Sequence, residues 1–172
     1  FGMNTDSLIL SEKTQTTVKT RVIGNKQQLI RIDFEQEQQI NSEDQKLLLK
    51  SIESAFNNGV DAIILEDYNK GVLTKNIIKE VIKLAKQRNV FISVDPKMDN
   101  FFEYKEVDLF KPNLKELKEG LNLNFVYPQQ KDKFESAIEE LCQKLQNKTT
   151  LVTLSEHGVY INDNTNAHYG EM

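Results

Sequence analysis

Short apolar runs alternate along the chain with longer segments in which apolar residues recur every three or four positions. The short runs have the length and composition of buried strands and lie at 61–65, 90–94, 107–110 and 150–154, with a final strand pattern at 159–162. The longer patterns place their apolar residues on one face of a helix and begin near 42, 74, 113 and 132. This β-α-β-α-β alternation predicts an α/β fold with a mostly parallel central sheet flanked by helices.

Polar residues of capping type mark the starts of the predicted helices. Ser42 and Gln45 have the spacing of a capping box, and Asp132 and Glu135 have a similar one. Thr74 is expected to cap the helix between them.

The segment before the first helix predicts strands rather than helices. One short strand is expected at 6–10, and two runs rich in Thr, Val and Ile follow at 14–23 and 26–34. Gly24 and Asn25 separate these two runs, which is typical of a β-hairpin with a two-residue turn.

In this register Lys19 faces Ile30 and Arg21 faces Gln28, so both faces of the hairpin are expected to be polar. Two interpretations remain open. The hairpin is either a solvated edge ribbon, or a lid that presents charged side chains to a polar ligand, namely Arg21, Arg31 and Asp33.

Composition narrows the class of protein. The 172 residues suffice for one domain, and a net charge of −4 argues against nucleic acid or an anionic membrane as the main partner. The single cysteine, Cys142, fits a reducing compartment. No apolar run reaches the roughly 18 residues of a membrane span, and the amino end has no signal-peptide pattern. A cytoplasmic location is expected, and both ends suggest a piece of a larger protein.

Charged residues follow the predicted strands at their carboxyl ends. Asp67 and Lys70 follow the first, Asp95 and Lys97 follow the second, and Lys-Pro-Asn at 111–113 follows the third. Ligands of open parallel sheets bind outside the carboxyl ends of the strands. Each residue alone is more often a solvated loop charge, but two Asp/Lys pairs at neighbouring strand ends favour an anionic, polyhydroxylated ligand.

The two later strand ends offer a helix start and a polar turn. Asn113 is expected to cap a short helix, whose amide groups and dipole would face an anion. Glu116 either closes a capping box or holds a hydrated metal ion, and the turn at 153–158 could lie against nucleotide phosphates. His157 and His168 have no partners at metal-ligand spacing, so a zinc site is unsupported.

Taken in order, these motifs resemble the ribokinase-like carbohydrate kinases, and most of all the heptose-7-phosphate kinases of ADP-heptose synthesis. The segments concerned are T-T-V-K-T-R-V-I-G and Q-Q-L-I-R-I-D-F-E within 16–35, D-Y-N-K-G at 67–71, V-D-P-K at 94–97, K-P-N-L-K-E at 111–116 and T-L-S-E-H-G at 153–158. The likeness spans nearly the whole chain. It implies one partial ribokinase-like domain over 1–172, with a β-lid at about 14–34 and an α/β body at about 35–172.

The resemblance also implies an activity and a set of contacts. The reaction is transfer of the γ-phosphoryl group of ATP, with Mg²⁺, to the anomeric hydroxyl of D-glycero-β-D-manno-heptose 7-phosphate, and the 1,7-bisphosphate product serves lipopolysaccharide core synthesis. ATP is expected at Asn113, Leu114, Lys115, Glu116, Ser155 and Gly158, with Mg²⁺ ordered by Glu116 through water. The sugar phosphate is expected at Arg21, Arg31, Asp33, Asp67, Lys70 and Lys97. Lids of this family commonly meet across a homodimer, so pairing through the β-lid is expected.

One family feature is absent from the sequence. The catalytic base of the family is an Asp in a Gly-Ala-Gly-Asp stretch, which the 172 residues do not contain. Because phosphoryl transfer depends on positioning and charge stabilisation, the chain alone is expected to be inactive. Two alternatives stay open: another ribokinase-like sugar kinase, or a catalytically inactive α/β module that binds nucleotide or sugar phosphate.

Overall fold

The computed structural model describes residues 2 and 4–170, which form a six-stranded sheet with helices and a separate two-stranded hairpin. The strands are β1 (Val18–Gly24), β2 (Gln27–Phe34), β3 (Ala62–Glu66), β4 (Phe91–Asp95), β5 (Leu109–Phe110), β6 (Thr149–Thr153), β7 (Val159–Asn162) and β8 (Ala167–Gly170). The helices are α1 (Ser42–Asn57), α2 (Lys75–Gln87), α3 (Leu114–Gly120) and α4 (Lys131–Leu145). None of the helices in the described residues is both long and apolar enough to cross a membrane.

The large sheet follows the order of the chain. Strands β3, β4, β5 and β6 are parallel neighbours, and β7 and β8 extend the sheet as antiparallel strands. Since right-handed crossovers between strands added in one direction all lie on one face, the helices form a single layer. The mostly parallel sheet and the separate hairpin confirm the predicted fold class.

The two faces of the sheet differ sharply in burial. On the helix side Ile92 and Val94 of β4 are fully buried. On the opposite side Ile64 is 71% exposed and Phe91 is 47% exposed. Within residues 4–170 no helix covers that second face.

The amino-terminal segment lies against α1 and does not form the predicted strand at 6–10. The hydroxyl of Ser11 donates to Oδ2 of Asp44 (2.6 Å), and the side chain of Asn41 donates to the same oxygen (2.7 Å). Asn41 is also the true cap of α1, because its Oδ1 accepts from the first amide groups of the helix. The helix begins at Ser42 as predicted, but the predicted capping box of Ser42 and Gln45 does not form.

Helix α2 begins with a side-chain cap, whereas helix α4 begins without one. Thr74 caps α2 as predicted and accepts a hydrogen bond from the amide of Ile77 (3.3 Å). Helix α4 follows Gln130 without a side-chain cap, so the predicted box of Asp132 and Glu135 is wrong.

The hairpin turn lies one residue later than predicted. Asn25 and Lys26 both adopt left-handed backbone conformations (φ 49° and 62°), as a primed turn requires. A shift in the pairing between Val22 and Ile23 then moves the rest of the ladder by another residue.

These two shifts change which side chains share a face. Lys19 pairs with Asp33, and Arg21 pairs with Arg31, so the predicted pairs were wrong. One side, which we call the apolar lid face, carries Val18, Thr20, Val22, Ile30, Ile32 and Phe34. The other side, the polar lid face, carries Lys19, Arg21, Arg31 and Asp33. The expectation of two polar faces is corrected accordingly.

Candidate functional site

The carboxyl ends of the parallel strands meet at one edge of the sheet, which we call the rim. It consists of residues 67–71, 95–97, 111–116 and 153–158, which follow β3, β4, β5 and β6. Backbone hydrogen bonds join these segments in sequence: Asp67 N to Asp95 O (3.0 Å), Lys111 N to Val94 O (2.9 Å) and Thr153 N to Pro112 O (3.2 Å). The rim therefore brings together the charged strand ends that the sequence singled out.

Asp67 is buried beneath the first rim segment. Its Oδ2 accepts from the hydroxyl of Tyr104 (2.6 Å) and from Nδ2 of Asn100 (3.0 Å), and its Oδ1 accepts from the amide of Asn69 (2.8 Å). Burial, followed by the hydrogen bond to Asp67, raises the pKa of Tyr104. With both oxygens engaged, Asp67 holds the loop in place, and its contact with a sugar hydroxyl stays a prediction.

Lys70 connects the rim to the base of the lid. Its Nζ lies 2.7 Å from Oε1 of Glu35 and 3.2 Å from Oε1 of Glu37, two carboxylates that follow β2. The hydrogen bond to Glu35 raises the pKa of Lys70. Glu35 also lies 3.8 Å from Nζ of Lys19, so an ion-pair chain runs from the polar lid face to the rim.

A cleft of about 560 Å³ lies where this chain of ion pairs crosses from lid to sheet. It is lined by Thr16, Thr17, Lys19, Glu35, Tyr68 and Lys70, among others. Its size is that of a small-molecule site.

Two of the three lid residues of the predicted sugar site, Arg31 and Asp33, pair with each other. The guanidinium of Arg31 donates from Nε to both oxygens of Asp33 (2.9 and 3.0 Å) and from Nη2 to Oδ2 (2.6 Å). The hydrogen bond from Arg31 lowers the pKa of Asp33. In the described residues neither Arg21 nor this pair forms an ion pair with the rim.

The carboxylate of Glu116 contacts two groups at the start of α3. Its Oε2 accepts from the amide of Asn113 (2.9 Å), while Oδ1 of Asn113 accepts from the amide of Glu116 (2.8 Å), which is a complete capping box. Its Oε1 pairs with Nζ of Lys97. Beside it, Nζ of Lys111 lies 2.8 Å from Oδ2 of Asp95. Burial lowers the pKa of Lys97, but Glu116 outweighs it, so the pKa is raised overall.

A second cleft of about 490 Å³ lies beside α3 and gathers three of the predicted ATP residues, Leu114, Lys115 and Ser155. Gly158, at the end of the same turn as Ser155, adopts φ 81° and ψ −134°, which suits glycine. Ser155 itself has φ 53°, a left-handed conformation that glycine adopts more readily than serine. The backbone of this turn therefore has positive φ at both Ser155 and Gly158.

The donor set at the rim fits a magnesium ion only together with phosphate groups. Within residues 4–170 no three His, Cys, Asp or Glu side chains stand close enough to hold a metal ion by themselves. Mg²⁺ usually keeps several waters and binds through one or two carboxylates plus substrate phosphates. A single buried carboxylate such as Glu116 is sufficient for that mode.

Sequence reasoning missed the residues that support the site. Tyr104 and Asn100 lie in an irregular segment, more than thirty residues from the Asp67 that they contact. Glu35 and Glu37 follow the lid, and the sequence analysis assigned neither of them a contact with the rim. No spacing rule links any of these residues to the rim, and only the folded chain reveals the contacts.

Comparisons with known proteins give consistent results. A family model described as pfkB family carbohydrate kinase matches residues 2–170. The bifunctional protein HldE of Aliarcobacter butzleri is 33% identical over 161 residues, covering 94% of this chain and 33% of that protein. The bifunctional protein HldE of Wolinella succinogenes is 34% identical over 165 residues, covering 95% of this chain and 34% of that protein. The chain thus spans about a third of the length of these relatives.

Among solved structures, phosphofructokinase-2 of Escherichia coli in complex with fructose-6-phosphate superposes with a TM-score of 0.67 at 18% identity, covering 90% of this chain and 50% of that one. At that identity the likeness shows the fold alone. The ribokinase-like architecture is thereby confirmed.

Proposed function

Because the chain belongs to the pfkB family of carbohydrate kinases, we propose that it serves phosphoryl transfer from ATP to the anomeric hydroxyl of D-glycero-β-D-manno-heptose 7-phosphate. The 1,7-bisphosphate product would enter ADP-heptose and lipopolysaccharide core synthesis in the cytoplasm. The choice of sugar is supported by the identity of about a third to the HldE proteins. The observation that carries the proposal is the rim, where lysines and carboxylates from several strand ends meet next to two clefts.

The nucleotide is assigned to the side of the rim formed by α3 and the turn after β6. Leu114, Lys115 and Ser155 line the cleft there. Gly158 ends the turn with a positive φ. Magnesium, when bound with ATP, would neutralise phosphate charge, and Glu116 would hold it through water. Asn113 contributes by fixing the carboxylate of Glu116.

The sugar phosphate is assigned to the side of the rim that faces the lid. Lys70 supplies positive charge there, and Arg21 and Arg31 supply it from the polar lid face. Lys97, which pairs with Glu116, is assigned to the nucleotide side instead. Fixed cations near a phosphate both orient the substrate and stabilise charge that develops during transfer. Asp33 sets the direction of the Arg31 guanidinium, and Asp67 holds the loop that carries Lys70.

We further propose that these 172 residues bind both substrates without transferring the phosphoryl group. The sequence has no Gly-Ala-Gly-Asp stretch to supply a base and stabilising amides. Removing such groups lowers a rate by several powers of ten.

Calorimetric titration tests the assignment. The chain is expected to bind Mg²⁺–ATP, and to bind heptose 7-phosphate more tightly than fructose 6-phosphate or ribose, because the last lacks the phosphate that the lysines recognise. Glu116→Gln should weaken Mg²⁺–ATP binding and leave the sugar affinity unchanged. Equal affinity for the three sugars would reject the heptose assignment, and equal Mg²⁺–ATP affinity in wild type and Glu116→Gln would remove Glu116 from the site. A coupled assay on the whole translated product then checks phosphoryl transfer to the same three sugars.

The apolar lid face supports pairing of two copies of the chain. Its side chains remain mostly exposed, with Ile32 at 57% and Phe34 at 57%, although a two-stranded ribbon needs a packed face for stability. We propose that the face packs against the same face of a second copy, since a self-complementary patch suits a two-fold dimer.

Ile32→Lys is expected to convert a dimer into a monomer, because it places a charge at the centre of the apolar lid face. Sedimentation velocity over a range of concentrations measures the change. Ile23→Lys is the matched control, since Ile23 is similarly exposed (67%) but lies with Lys19 and Arg21 on the opposite side of the hairpin. If both variants sediment as the wild type does, the lid does not hold the dimer.

A further inference from the structure

Four charged side chains at the rim form two ion pairs with one another. Lys97, which follows β4, pairs with Glu116 of α3, and Lys111, which follows β5, pairs with Asp95 at the end of β4. The four formal charges sum to zero. A rim that recognised only an anion would keep its lysines free, and a rim that recognised only a cation would keep its carboxylates free.

The members of the first pair differ in mobility and burial. The side chain of Glu116 is 7% exposed, and its second oxygen is fixed by the amide of Asn113. The side chain of Lys97 is 37% exposed and has a flexible four-carbon stem. Lys97 can therefore turn away, whereas Glu116 stays in place. A buried carboxylate that loses its only cation is strongly destabilised, so Lys97 needs a replacement before it leaves.

We propose that the rim works by exchange of partners: a divalent cation replaces Lys97 at Glu116 while Lys97 and Lys111 turn to the polyphosphate that arrives with it. This inference rests on the proposed use of ATP and Mg²⁺. Lys97 is then a positioning residue that holds the carboxylate of Glu116 in the ligand-free chain and recognises phosphate in the complex. Cation and polyphosphate favour each other, because each supplies the partner that the other displaces.

The exchange predicts opposite effects of two substitutions on two simple probes. Lys97→Met leaves Glu116 without a cation, so Mn²⁺ alone, measured by electron paramagnetic resonance, should bind about tenfold more tightly than to wild type. Glu116→Gln releases Lys97, so inorganic tripolyphosphate in EDTA, measured by calorimetry, should also bind about tenfold more tightly. The preformed Mn²⁺–tripolyphosphate complex should bind best to the wild type.

Lys148→Met is the matched control. It breaks an ion pair in which Nζ of Lys148 lies 2.7 Å from Oδ1 of Asp108, whose other oxygen also accepts from a backbone amide (2.8 Å, Ile92). This pair is at the opposite edge of the sheet, so neither probe should change its affinity. Thermal unfolding verifies that each variant is folded. Where Lys97→Met is unfolded, Lys97→Gln retains a hydrogen-bond donor and makes the same test.

Several outcomes overturn the exchange. Unchanged Mn²⁺ affinity in both Lys97 variants, or unchanged tripolyphosphate affinity in Glu116→Gln, would show that the pair does not compete with ligands. A loss of affinity for both probes in both variants would assign the two residues to simple binding. In each of these cases the wild type still binds the complex, so the proposed function stands. A wild type that does not bind the complex would reject the nucleotide site and the exchange together.

Discussion

Gly71→Ala is expected to lower the free energy of unfolding by about 3 kcal/mol and to loosen the lid from the rim. Gly71 has φ 78°, and a Cβ atom on it would lie 2.0 Å from the carbonyl oxygen of Gln38. That oxygen belongs to the backbone, so no side-chain rotation relieves the clash. The carbonyl of Gly71 also accepts from the amide of Ile40 (3.0 Å), and the substitution would disturb this hydrogen bond. Urea denaturation gives the free energy, and limited proteolysis of 35–41 measures the loosening.

Gly59→Ala is the matched control for this substitution. Gly59 has a similar backbone conformation (φ 87°), but a Cβ atom there would meet no atom within 4 Å. It should therefore show the strain of the left-handed conformation alone, about 1 kcal/mol. The difference between the two variants measures the contact between the lid connection and the rim. Equal losses would show that this contact contributes nothing to stability.

Asp67→Ala is expected to destabilise the chain by about 3 kcal/mol and to weaken ligand binding at the rim. The substitution removes the acceptor of three hydrogen bonds and leaves the buried hydroxyl of Tyr104 without a partner, while the side chain of Asn100 keeps its hydrogen bond to the carbonyl of Leu73 (2.8 Å). The loop with Lys70 is then free to move. Tyr104→Phe removes only one donor and should cost about 1 to 2 kcal/mol.

A double-mutant cycle separates the direct link from general damage to the core. Because Asp67 and Tyr104 are in contact, the losses in the two single variants should not add in the double variant. Tyr127→Phe is the control, since the hydroxyl of Tyr127 has no hydrogen-bond partner in the described residues, and it should change stability by less than about 0.5 kcal/mol. Additive losses at 67 and 104 would contradict the proposed support of the loop.

The sheet and the main helices could be predicted from the sequence because their apolar residues recur with the periodicity of a strand or a helix. The stripe of α2 illustrates this, since Ile77, Ile78, Val81 and Ile82 are all buried as predicted. Hairpin register has no such periodic signal. It depends on a turn in which Lys26 adopts a left-handed conformation that lysine seldom takes, and on an irregularity after Val22. Both depend on local backbone geometry, so the spacing of residues in the sequence does not predict where they occur.

The position of the candidate site was predictable, whereas the states of its side chains were not. Parallel strands end on the same edge, so Lys97 and Asn113 had to be near each other. Whether a carboxylate is free or engaged depends on residues distant in the chain. Asp67 accepts a hydrogen bond from Tyr104, and Glu116 contacts both a helix cap and a lysine.

The one-sided arrangement of helices gives adjacent residues of a strand unequal tolerance to change. Leu65 of β3 is enclosed by the helix layer, so a polar residue there would disrupt the interior. Its neighbour Ile64 faces outward, and a threonine at that position would leave the packing of these 172 residues almost untouched. Among related sequences, the residues tolerated at Leu65 would therefore reflect packing against the helix layer. The residues tolerated at Ile64 would reflect contacts with whatever lies against the open face.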